Sequence, residues 1–554
     1  MSRCVLLAIN AKYVHSSLAA WYLAAGVSAY CAEKHDFSVL EHTINEPPSN
    51  IVSEVLAKTP EVLGISVYIW NAGMVPQIMA AVRGAVPDIK IVLGGPEAAN
   101  NPEYWLQSGA DFVAMGEGEH VLPLLLDRLE RQGKTDEVSG FYRMGEDGAL
   151  CAAAPADMPP EEPSAALPDP YTDKYYASLG DRLAYVETSR GCPFGCTYCL
   201  SSGSNTRFFP LEMSKDRIYR LAQGNRRTIK FVDRTFNCNC ERAYAMFSYV
   251  IGLDTECCFH FEVAADLFDP KTTALLNTAA PGRVQLEIGL QSFNEPTLKV
   301  VNRQTDLEIC ERNIRALLAP GNIHVHIDLI AGLPLEGLES LKKSFARAFA
   351  LRPHTLQLGF LKLLHGSELR KNAARFSIEY SPEPPYEVIS TRWISAEELD
   401  EVRQVEDALD TLYNSGRFLY MVDYLLEASG LEPYALFEHI GRNVPWRGDG
   451  LTDHAGRVYA CCATLEGVCP ELLCDAMTLD WLSFARGKNM PAAIKAGADS
   501  AAFNAARKLA EDTLGRAIER SQVCVLSDGR VAFIEEGQKD PVTKRYKLYL
   551  DLQL

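Results

Sequence analysis

The stretch Ser189-Arg190-Gly191-Cys192-Pro193-Phe194-Gly195-Cys196-Thr197-Tyr198-Cys199 spaces three cysteines as C-x-x-x-C-x-x-C directly after a short apolar run. Three thiolates at this spacing can bind three irons of a cubane 4Fe–4S cluster and leave the fourth iron open. A structural zinc site requires a fourth protein ligand at comparable spacing. The glycines permit a tight backbone path around the inorganic sulfides. The pattern predicts a cluster with one open iron; the alternatives are a zinc loop and three cysteines packed in a turn.

Outward from this motif, strand and helix patterns alternate over about 200 residues. Six strands are predicted, at Leu183–Thr188, Ile229–Asp233, Phe259–Ala264, Val284–Leu290, Val325–Ile330 and Thr355–Phe360. This alternation predicts a central partial (β/α)6 TIM barrel over residues 176–374. A barrel of this kind places its chemistry at the carboxyl ends of its strands, and the cysteine motif follows the first strand.

The segment before the barrel also alternates strands and helices, which predicts an α/β, doubly wound, parallel-sheet (Rossmann-like) domain over residues 1–145. Its strands are predicted at Val5–Ile9, Phe37–Leu40, Val62–Tyr68, Ile89–Leu93 and Asp111–Met115. A proline-rich linker is predicted over 146–175. Residues 375–554 are predicted to form a mostly helical domain that ends in a small β hairpin around Ser527-Asp528-Gly529.

Composition narrows the class of protein. The chain of 554 residues has 47% hydrophobic residues, 16 cysteines and a formal net charge of −18. No apolar run is long enough for a membrane helix, and the N-terminus turns polar too early for a signal peptide. We therefore expect a cytoplasmic protein with reduced cysteines and no membrane partner. The negative charge disfavours bulk nucleic acid as a partner.

The cysteine motif resembles the radical S-adenosylmethionine (SAM) superfamily. In that family the open iron binds the amine and carboxylate of SAM, and reductive cleavage gives a 5′-deoxyadenosyl radical. The resemblance implies SAM contacts at strand ends in Phe-His-Phe-Glu-Val, Glu-Ile-Gly-Leu-Gln-Ser and Ala-Gly-Leu-Pro. The residues concerned are Tyr198, Glu262, Gln291, Ser292, Arg303 and Leu333.

The first block resembles the cobalamin-binding domain that precedes many radical SAM cores. The implied contacts lie at strand ends, where open α/β sheets bind ligands; they are Asn10, His15, Ser66, Tyr68, Trp70, Asn71, Gly94, Gly95, Pro96, Gly116, Glu117, Gly118 and Glu119. One departure matters, because Lys12 stands at the spacing where relatives carry a cobalt-ligating histidine. Tyr68 or Trp70 is expected to face the lower side of cobalt instead. The alternative is a domain that keeps the fold without the cofactor.

Two further groups of residues leave alternatives open. Asp233, Arg234 and Asn237 follow the second barrel strand and are candidate substrate contacts; an Asp–Arg pair that orders the loop is the alternative. Cys461, Cys462, Cys469 and Cys474 lie close together in sequence. An auxiliary metal site and ordinary packing are both open for them.

Together these features predict a cobalamin-dependent radical SAM enzyme of a subgroup with its own C-terminal domain. The expected reaction is methylation of an unactivated carbon through a 5′-deoxyadenosyl radical and methylcobalamin. The alternative keeps both cofactors but performs a rearrangement, cyclisation or reduction, and a more distant one is a cobalamin or cluster sensor. Expected partners are a reducing system such as flavodoxin or ferredoxin and a small-molecule or peptide substrate.

Overall fold

A computed structural model describes residues 3–131, 138–152, 167–224, 228–446, 448, 450–494 and 500–554. Residues 153–166 of the predicted linker (146–175) lie outside the described residues. The chain divides into two compact units, Met1–Glu262 with Lys362–Val388, and Val263–Leu361 with Ile389–Leu554. None of the helices among the described residues combines the length and the apolar character needed to cross a membrane.

The N-terminal region alternates strands with helices, as predicted. Its elements are β1 Arg3–Asn10, α1 Leu18–Tyr30, β2 Asp36–Thr43, α2 Pro48–Ala57, β3 Val62–Ser66, α3 Val75–Ala85, β4 Lys90–Gly94, α4 Pro96–Ala99, α5 Pro102–Gln107, β5 Phe112–Ala114, α6 Gly118–Glu130, β6 Phe141–Met144 and β7 Leu150–Ala152.

These strands form one sheet in the order β2-β1-β3-β4-β5-β6-β7. The first five strands are parallel, and β6 and β7 add antiparallel strands at one edge. Alternate β1 side chains face opposite cores: Val5 and Leu7 pack in the core shared with α2 and α3, and Cys4 and Leu6 pack in the core shared with α1 and α6. Burial on both faces is the mark of a doubly wound sheet. The predicted fold class is confirmed here, with two strands that were not predicted.

Strands β1 and β3 are neighbours in the sheet, and β2 lies on the other side of β1. The direction in which strands are added therefore reverses between β1 and β3. Open α/β sheets bind ligands in the crevice outside the carboxyl ends of strands at such a switch point. In this chain the crevice lies after Asn10 and Ser66. The fold therefore places the predicted cobalamin contacts where a ligand site is expected.

The central region continues the pattern. Its elements are α7 Asp173–Leu179, β8 Ala184–Val186, β9 Ser189–Arg190, β10 Arg207–Phe208, α8 Leu211–Gln223, β11 Thr228–Phe231, α9 Cys240–Gly252, β12 Cys258–Val263, α10 Pro270–Leu276, β13 Val284–Gln291, α11 Glu295–Val300, α12 Leu307–Leu318, β14 His324–Ala331, α13 Leu338–Phe349 and β15 Thr355–Phe360.

In the first unit β8, β11 and β12 are parallel, with Phe231 opposite Val186 in the register. In the second unit β13, β14 and β15 are parallel, with Asp328 opposite Gln357. On β13 and β14 every second residue is buried against helices and the residues between them are polar or half-buried. Each unit thus contains three of the six predicted barrel strands, with connections that contain helices.

The C-terminal region is mostly helical, as predicted. Its elements are α14 Glu368–Lys371, β16 Glu379–Tyr380, β17 Val388–Ser390, α15 Ala396–Leu409, α16 Leu419–Ser429, α17 Pro433–Asn443, α18 Leu451–Cys462, α19 Pro470–Ala485, α20 Ser500–Leu514, β18 Val523–Val525, β19 Arg530–Lys539 and β20 Tyr546–Gln553. Strands β18 and β19 form the predicted hairpin, and β20 extends it to a three-stranded antiparallel sheet. The turn uses Gly529 at a φ of +83°, a conformation that favours glycine.

Candidate functional site

The three cysteines lie in a compact loop between β9 and β10. Cys192 and Cys196 are buried and Cys199 is half-buried. Gly191 has a φ of +95°, and a Cβ there would lie 2.6 Å from the carbonyl oxygen of Asn205. Any side chain at this position would therefore clash with the loop backbone. The glycine is required by the path of the loop, as the sequence indicated.

Hydrogen bonds fix this loop from inside. The Cys192 amide donates to Ser204 Oγ at 3.1 Å, and the Gly203 amide donates to the Phe194 carbonyl at 2.8 Å. Burial raises the pKa of Cys199, and the neighbouring thiols Cys196 and Cys192 act in the same direction. Cluster ligands bind as thiolates, so iron would have to displace this proton. The role of the three cysteines as cluster ligands stays a prediction from their spacing.

Asp233 anchors the strand that leads into the cysteine loop. Its carboxylate accepts hydrogen bonds from the Thr188 amide at 3.0 Å, from Thr188 Oγ1 at 2.7 Å and from Ser189 Oγ at 2.5 Å. Burial raises the pKa of Asp233 to about 6. This geometry favours the loop-ordering alternative over a substrate contact, although the ordering partners are Thr188 and Ser189, not Arg234.

The other two candidate substrate contacts differ in exposure. Arg234 is exposed, and its positive charge opposes the burial that raises the pKa of both Cys199 and Tyr68. Asn237 is only 1% exposed. Of the predicted trio, Arg234 alone presents its side chain to solvent near the cysteine loop.

Two aromatic rings stand at the switch point of the N-terminal sheet. Tyr68 and Trp70 stack with ring centroids 4.4 Å apart and planes inclined by 6°. Trp70 is 43% exposed, and its Nε1 donates to the Ile9 carbonyl at 3.0 Å. Large exposed aromatics held by their polar ends are typical of ligand platforms. The pair lies where the sequence placed a cobalamin contact.

Asn71 holds the base of this aromatic pair. Its Nδ2 donates to the carbonyls of Ile9 and Ser66 at 3.1 and 3.0 Å, and its Oδ1 accepts from the Tyr68 amide at 2.9 Å. The side chain is 1% exposed. Asn71 therefore connects the ends of β1 and β3, and its predicted contact with cobalamin would be indirect.

Asn10 and His15 bond to other protein groups. Asn10 Nδ2 lies 3.3 Å from the His15 carbonyl and 3.3 Å from Glu41 Oε2. His15 Nδ1 lies 2.6 Å from the hydroxyl of Tyr185 on β8. Burial lowers the pKa of His15, which keeps the ring neutral at neutral pH. These contacts order the loop after β1 against β8, so His15, which was predicted to contact cobalamin, has a protein partner instead.

The glycines after β4 and β5 serve different purposes. Gly95 has a φ of +91°, and a Cβ there would lie 2.4 Å from the Val67 carbonyl, so the fold itself requires glycine before Pro96. Gly94 meets no such close contact. Gly116 has a φ of +78° and nothing lies within 4 Å of a Cβ built on it. The loop at Gly116 therefore leaves open space beside the strand ends.

Glu117 and Glu119 were predicted to contact cobalamin, but they form ion pairs with arginines on the two strands that flank the cysteine loop. The Arg190 guanidinium contacts the Glu119 carboxylate, and its Nη1 lies 3.1 Å from Glu117 Oε1. Arg207 Nη2 lies 2.6 Å from the same Glu117 oxygen. Burial opposes ionisation, but Arg190 and Arg207 still lower the pKa of Glu117. Gly118, between them, packs against Leu23. The sequence missed this ion-pair network, because an acidic loop gives no signal of its partner.

Of the predicted SAM contacts, Tyr198 and Glu262 lie in the first unit. Tyr198 lies in the cysteine loop. Glu262 lies near the end of β12, and its Oε1 is 3.7 Å from Lys230 Nζ. Both side chains are half-buried. Their role as SAM contacts remains a prediction.

The other predicted SAM contacts lie in the second unit. Gln291 ends β13 at a bulge with a φ of +75°, and its Oε1 is buried without a hydrogen-bond partner. A strained polar residue of this kind is typical of functional sites. Arg303 Nη2 donates to the Gly289 carbonyl at 2.6 Å. These two side chains remain candidates for SAM binding.

Ser292 and Leu333 are fully buried. Ser292 Oγ donates to Glu336 Oε1 at 2.7 Å and accepts from the Asn294 amide at 2.9 Å. Burial raises the pKa of Glu336 to about 7. These residues shape the turns after β13 and β14, and any contribution to SAM binding would come through the backbone.

Three polar side chains on β13 and β14 escaped the sequence analysis. Glu287, His326 and Asp328 have potential ligand atoms within 4.8 Å of one another, and His326 Nε2 lies 2.9 Å from Asp328 Oδ1. Gln291 belongs to the same face of β13 as Glu287. The signal was present in the sequence as polar residues at every second position of both strands.

The C-terminal cysteines do not gather into one group. Cys461 Sγ lies 3.4 Å from His439 Nε2, Cys469 contacts Glu471 and Cys474 contacts the Ile494 carbonyl. Over the described ranges, no set of three possible metal ligands contains any of these cysteines. Cys461, Cys469 and Cys474 thus each have a separate local hydrogen-bond partner.

Comparison with family models supports this organisation. Residues 5–126 match the model described as a B12 binding domain, and residues 186–348 match that of the radical SAM superfamily. Residues 374–522 match a model described as a protein of unknown function (DUF4080). The predicted pairing of a cobalamin-binding domain with a radical SAM domain is confirmed. So is the cofactor set of such domains, a 4Fe–4S cluster, SAM and cobalamin.

Several relatives and solved structures are similar to this chain over much of its length. The chain is 24% identical to the cobalamin-dependent radical SAM methyltransferase TokK of Streptomyces tokunonensis, over 58% of this chain and 50% of TokK. It is 23% identical to 2-(S-pantetheinyl)-carbapenam-3-carboxylate methyltransferase of Streptantibioticus cattleyicolor, over 79% of this chain and 69% of that protein. The structure of the radical SAM methyltransferase TsrM from Kitasatospora setae matches with a TM-score of 0.57 at 18% identity, covering 70% of this chain and 79% of TsrM. The chain thus spans half of TokK, and the likeness to TsrM shows a shared fold.

Proposed function

We propose that this chain, a radical SAM protein with a B12-binding domain, is a methyltransferase that acts on an unactivated carbon. The observation that carries the proposal is the contact between the two candidate cofactor regions inside one unit. Arg190 precedes the first cluster cysteine and binds Glu117 and Glu119, which follow β5 of the cobalamin-type sheet. When bound, the cluster supplies the electron that cleaves SAM, and cobalamin carries the methyl group.

The residues of the cysteine loop would hold the cluster and order its surroundings. Cys192, Cys196 and Cys199 would bind three irons and leave the fourth for SAM. Asp233 would keep Thr188 and Ser189 fixed, so that the loop approaches the cluster with little rearrangement. Within the first unit, the half-buried Tyr198 and Glu262 would contact SAM.

The residues of the sheet edge would hold cobalamin and exclude water. Because Lys12 occupies the position of the usual histidine ligand, the stacked Tyr68–Trp70 pair would contact the corrin instead. The open space at Gly116 would accommodate part of the cofactor.

The substrate and redox partner are proposed at the level of chemical class. A small molecule or peptide would approach the cysteine loop beside Arg234, whose exposed guanidinium suits a carboxylate or phosphate group. A flavodoxin or ferredoxin of the cytoplasm would supply the electrons.

A labelled-methyl assay tests the proposal. Reconstituted protein is incubated anaerobically with a reductant, SAM carrying a trideuterated methyl group, and a small-molecule extract. The proposal predicts S-adenosylhomocysteine that requires cobalamin, together with a product heavier by one labelled methyl group. SAM cleavage to 5′-deoxyadenosine without S-adenosylhomocysteine would contradict methyl transfer and support a rearrangement, cyclisation or reduction.

A further inference from the structure

Residues 362–388 form a segment with an unusual place in the chain. They belong to the first unit, although the residues before them, Val263–Leu361, and after them, Ile389–Leu554, belong to the second. The segment contains the short helix α14 and the strand β16. It therefore joins the N-terminal domain and cysteine loop from far along the sequence.

One end of the segment contacts the sheet edge after β4. The Tyr386 hydroxyl donates to Glu97 Oε1 at 2.5 Å, and both side chains are buried. Glu97 follows Gly94-Gly95-Pro96 directly, and its amide donates to the Val67 carbonyl at 3.4 Å. Burial raises the pKa of Glu97, while the Tyr386 hydrogen bond and Arg370 oppose that shift. Tyr386 thus holds a group that is fixed to the ends of β3 and β4.

A second contact lies nearby. His365 Nε2 lies 3.3 Å from Asn101 Nδ2. Gly366 has a φ of +88°, and a Cβ there would lie 2.1 Å from Asn100 Oδ1. A side chain at this position would have to displace that of Asn100, so the segment lies in close contact with the N-terminal domain here.

The middle of the segment contacts the cysteine loop. The Leu369 amide donates to the carbonyl of Thr197, which lies between the second and third cluster cysteines, at 2.8 Å. Leu369 is 2% exposed. The next residue, Arg370, stacks its guanidinium over the Tyr386 ring at 4.8 Å. A continuous path of contacts therefore runs from Glu97 through Tyr386, Arg370 and Leu369 to Thr197.

We propose that residues 362–388 are a positioning strap that fixes the separation of cobalamin and the 4Fe–4S cluster. The strap binds the edge on which cobalamin would lie and the loop that would hold the cluster. A transfer between two cofactors depends steeply on their geometry, and a misplacement of about 1 Å can cost a large part of the rate. The proposal rests on the proposed function, because both cofactors must be bound together.

The test is the spin–spin interaction between cob(II)alamin and the reduced cluster, measured by electron paramagnetic resonance on the loaded full chain. Tyr386→Phe removes one hydroxyl and keeps the ring. We expect this variant to retain iron and cobalt while the mean separation shifts or its distribution widens by about 1 Å. The matched control is Tyr249→Phe, which removes a hydroxyl bonded to the Lys215 carbonyl at 3.1 Å, within the barrel region. It should give the wild-type spectrum.

Asn101→Ala provides a second variant, because Tyr386→Phe leaves a buried carboxylate without its donor. The Asn101→Ala variant removes the contact with His365, and it should shift the separation of cob(II)alamin and the cluster in the same way. Wild-type separations in both strap variants, with both cofactors present, would overturn the strap proposal alone. A wild-type protein that binds iron but no cobalt would instead overturn the proposed function, and the strap proposal with it.

Discussion

The cysteine loop and the edge of the N-terminal sheet are two halves of one candidate site, built in opposite ways. In the loop the first two cysteines are buried, glycine is required at position 191, and Asp233 holds the entering strand. At the sheet edge Trp70 is 43% exposed and Gly116 borders open space. A small inorganic cluster needs a preformed, closed set of ligands, whereas a large corrin needs an open surface with a few fixed contacts. The difference indicates that each half is suited to its own cofactor.

The largest effect is expected when one ligand of the cluster is removed from the cysteine loop. Cys196→Ala should lose the cluster, with iron content and the cluster's contribution to the visible absorption falling toward zero, because two thiolates cannot hold a cubane. Cobalt content should remain close to wild type. Cys461→Ala, which removes a thiol beside His439, is the control and should keep its iron. Full iron content in the Cys196 variant would contradict the assignment.

The next change loosens the loop without removing a ligand. Asp233→Asn keeps the shape of the side chain but replaces one acceptor oxygen by a donor, which conflicts with Thr188 and Ser189. We expect roughly 10-fold faster loss of iron to a chelator, as for other residues that orient metal ligands. Asp269→Asn, at the N-cap of α10, is the matched control. Equal rates in both variants would mean that Asp233 does not order the loop.

The open half is tested at its exposed aromatic. Trp70→Ala removes the ring that stacks on Tyr68, and cobalamin affinity should fall about 10-fold. Iron content should not change. Trp446→Ala removes a tryptophan of similar exposure in the C-terminal region and should leave cobalamin binding intact. An unchanged dissociation constant in the Trp70 variant would place cobalamin elsewhere.

The smallest effect concerns the buried carboxyl of Glu336 in the second unit. Its pKa is raised from 4.5 to about 7 by burial, so the folded state binds its proton more tightly than the unfolded state. Its contribution to stability is therefore full at pH below 4.5 and is lost as the pH rises through 7. Glu336→Gln should remove about 2 kcal/mol of this pH dependence. Melting temperatures from pH 5 to pH 8 measure it, and an unchanged slope would contradict the shift.

Local patterns were enough to predict much of the fold and part of the site. A continuous apolar run predicted β1, which is buried on both faces. Alternating apolar residues predicted β15, which is buried mainly on one face. The edge strands β6 and β7 were missed because they are short and partly exposed. The cysteine spacing predicted the cluster loop because all its ligands are local.

Long-range partners could not be predicted in the same way. Glu119 was expected to face cobalamin but binds Arg190, since the sequence of an acidic loop does not say which cation it meets. The contact between Glu97 and Tyr386 joins residues 289 positions apart. No periodicity encodes such a pair, and only the folded chain reveals it.

We propose that one unit of this chain holds both cofactors. The direct measurement is metal content after anaerobic reconstitution with iron, sulfide and hydroxocobalamin, followed by removal of unbound material. The account predicts about four irons and one cobalt per chain, with cobalt retained in the Cys196→Ala variant. Iron without cobalt in the wild-type protein would contradict it and leave the N-terminal sheet without its proposed ligand.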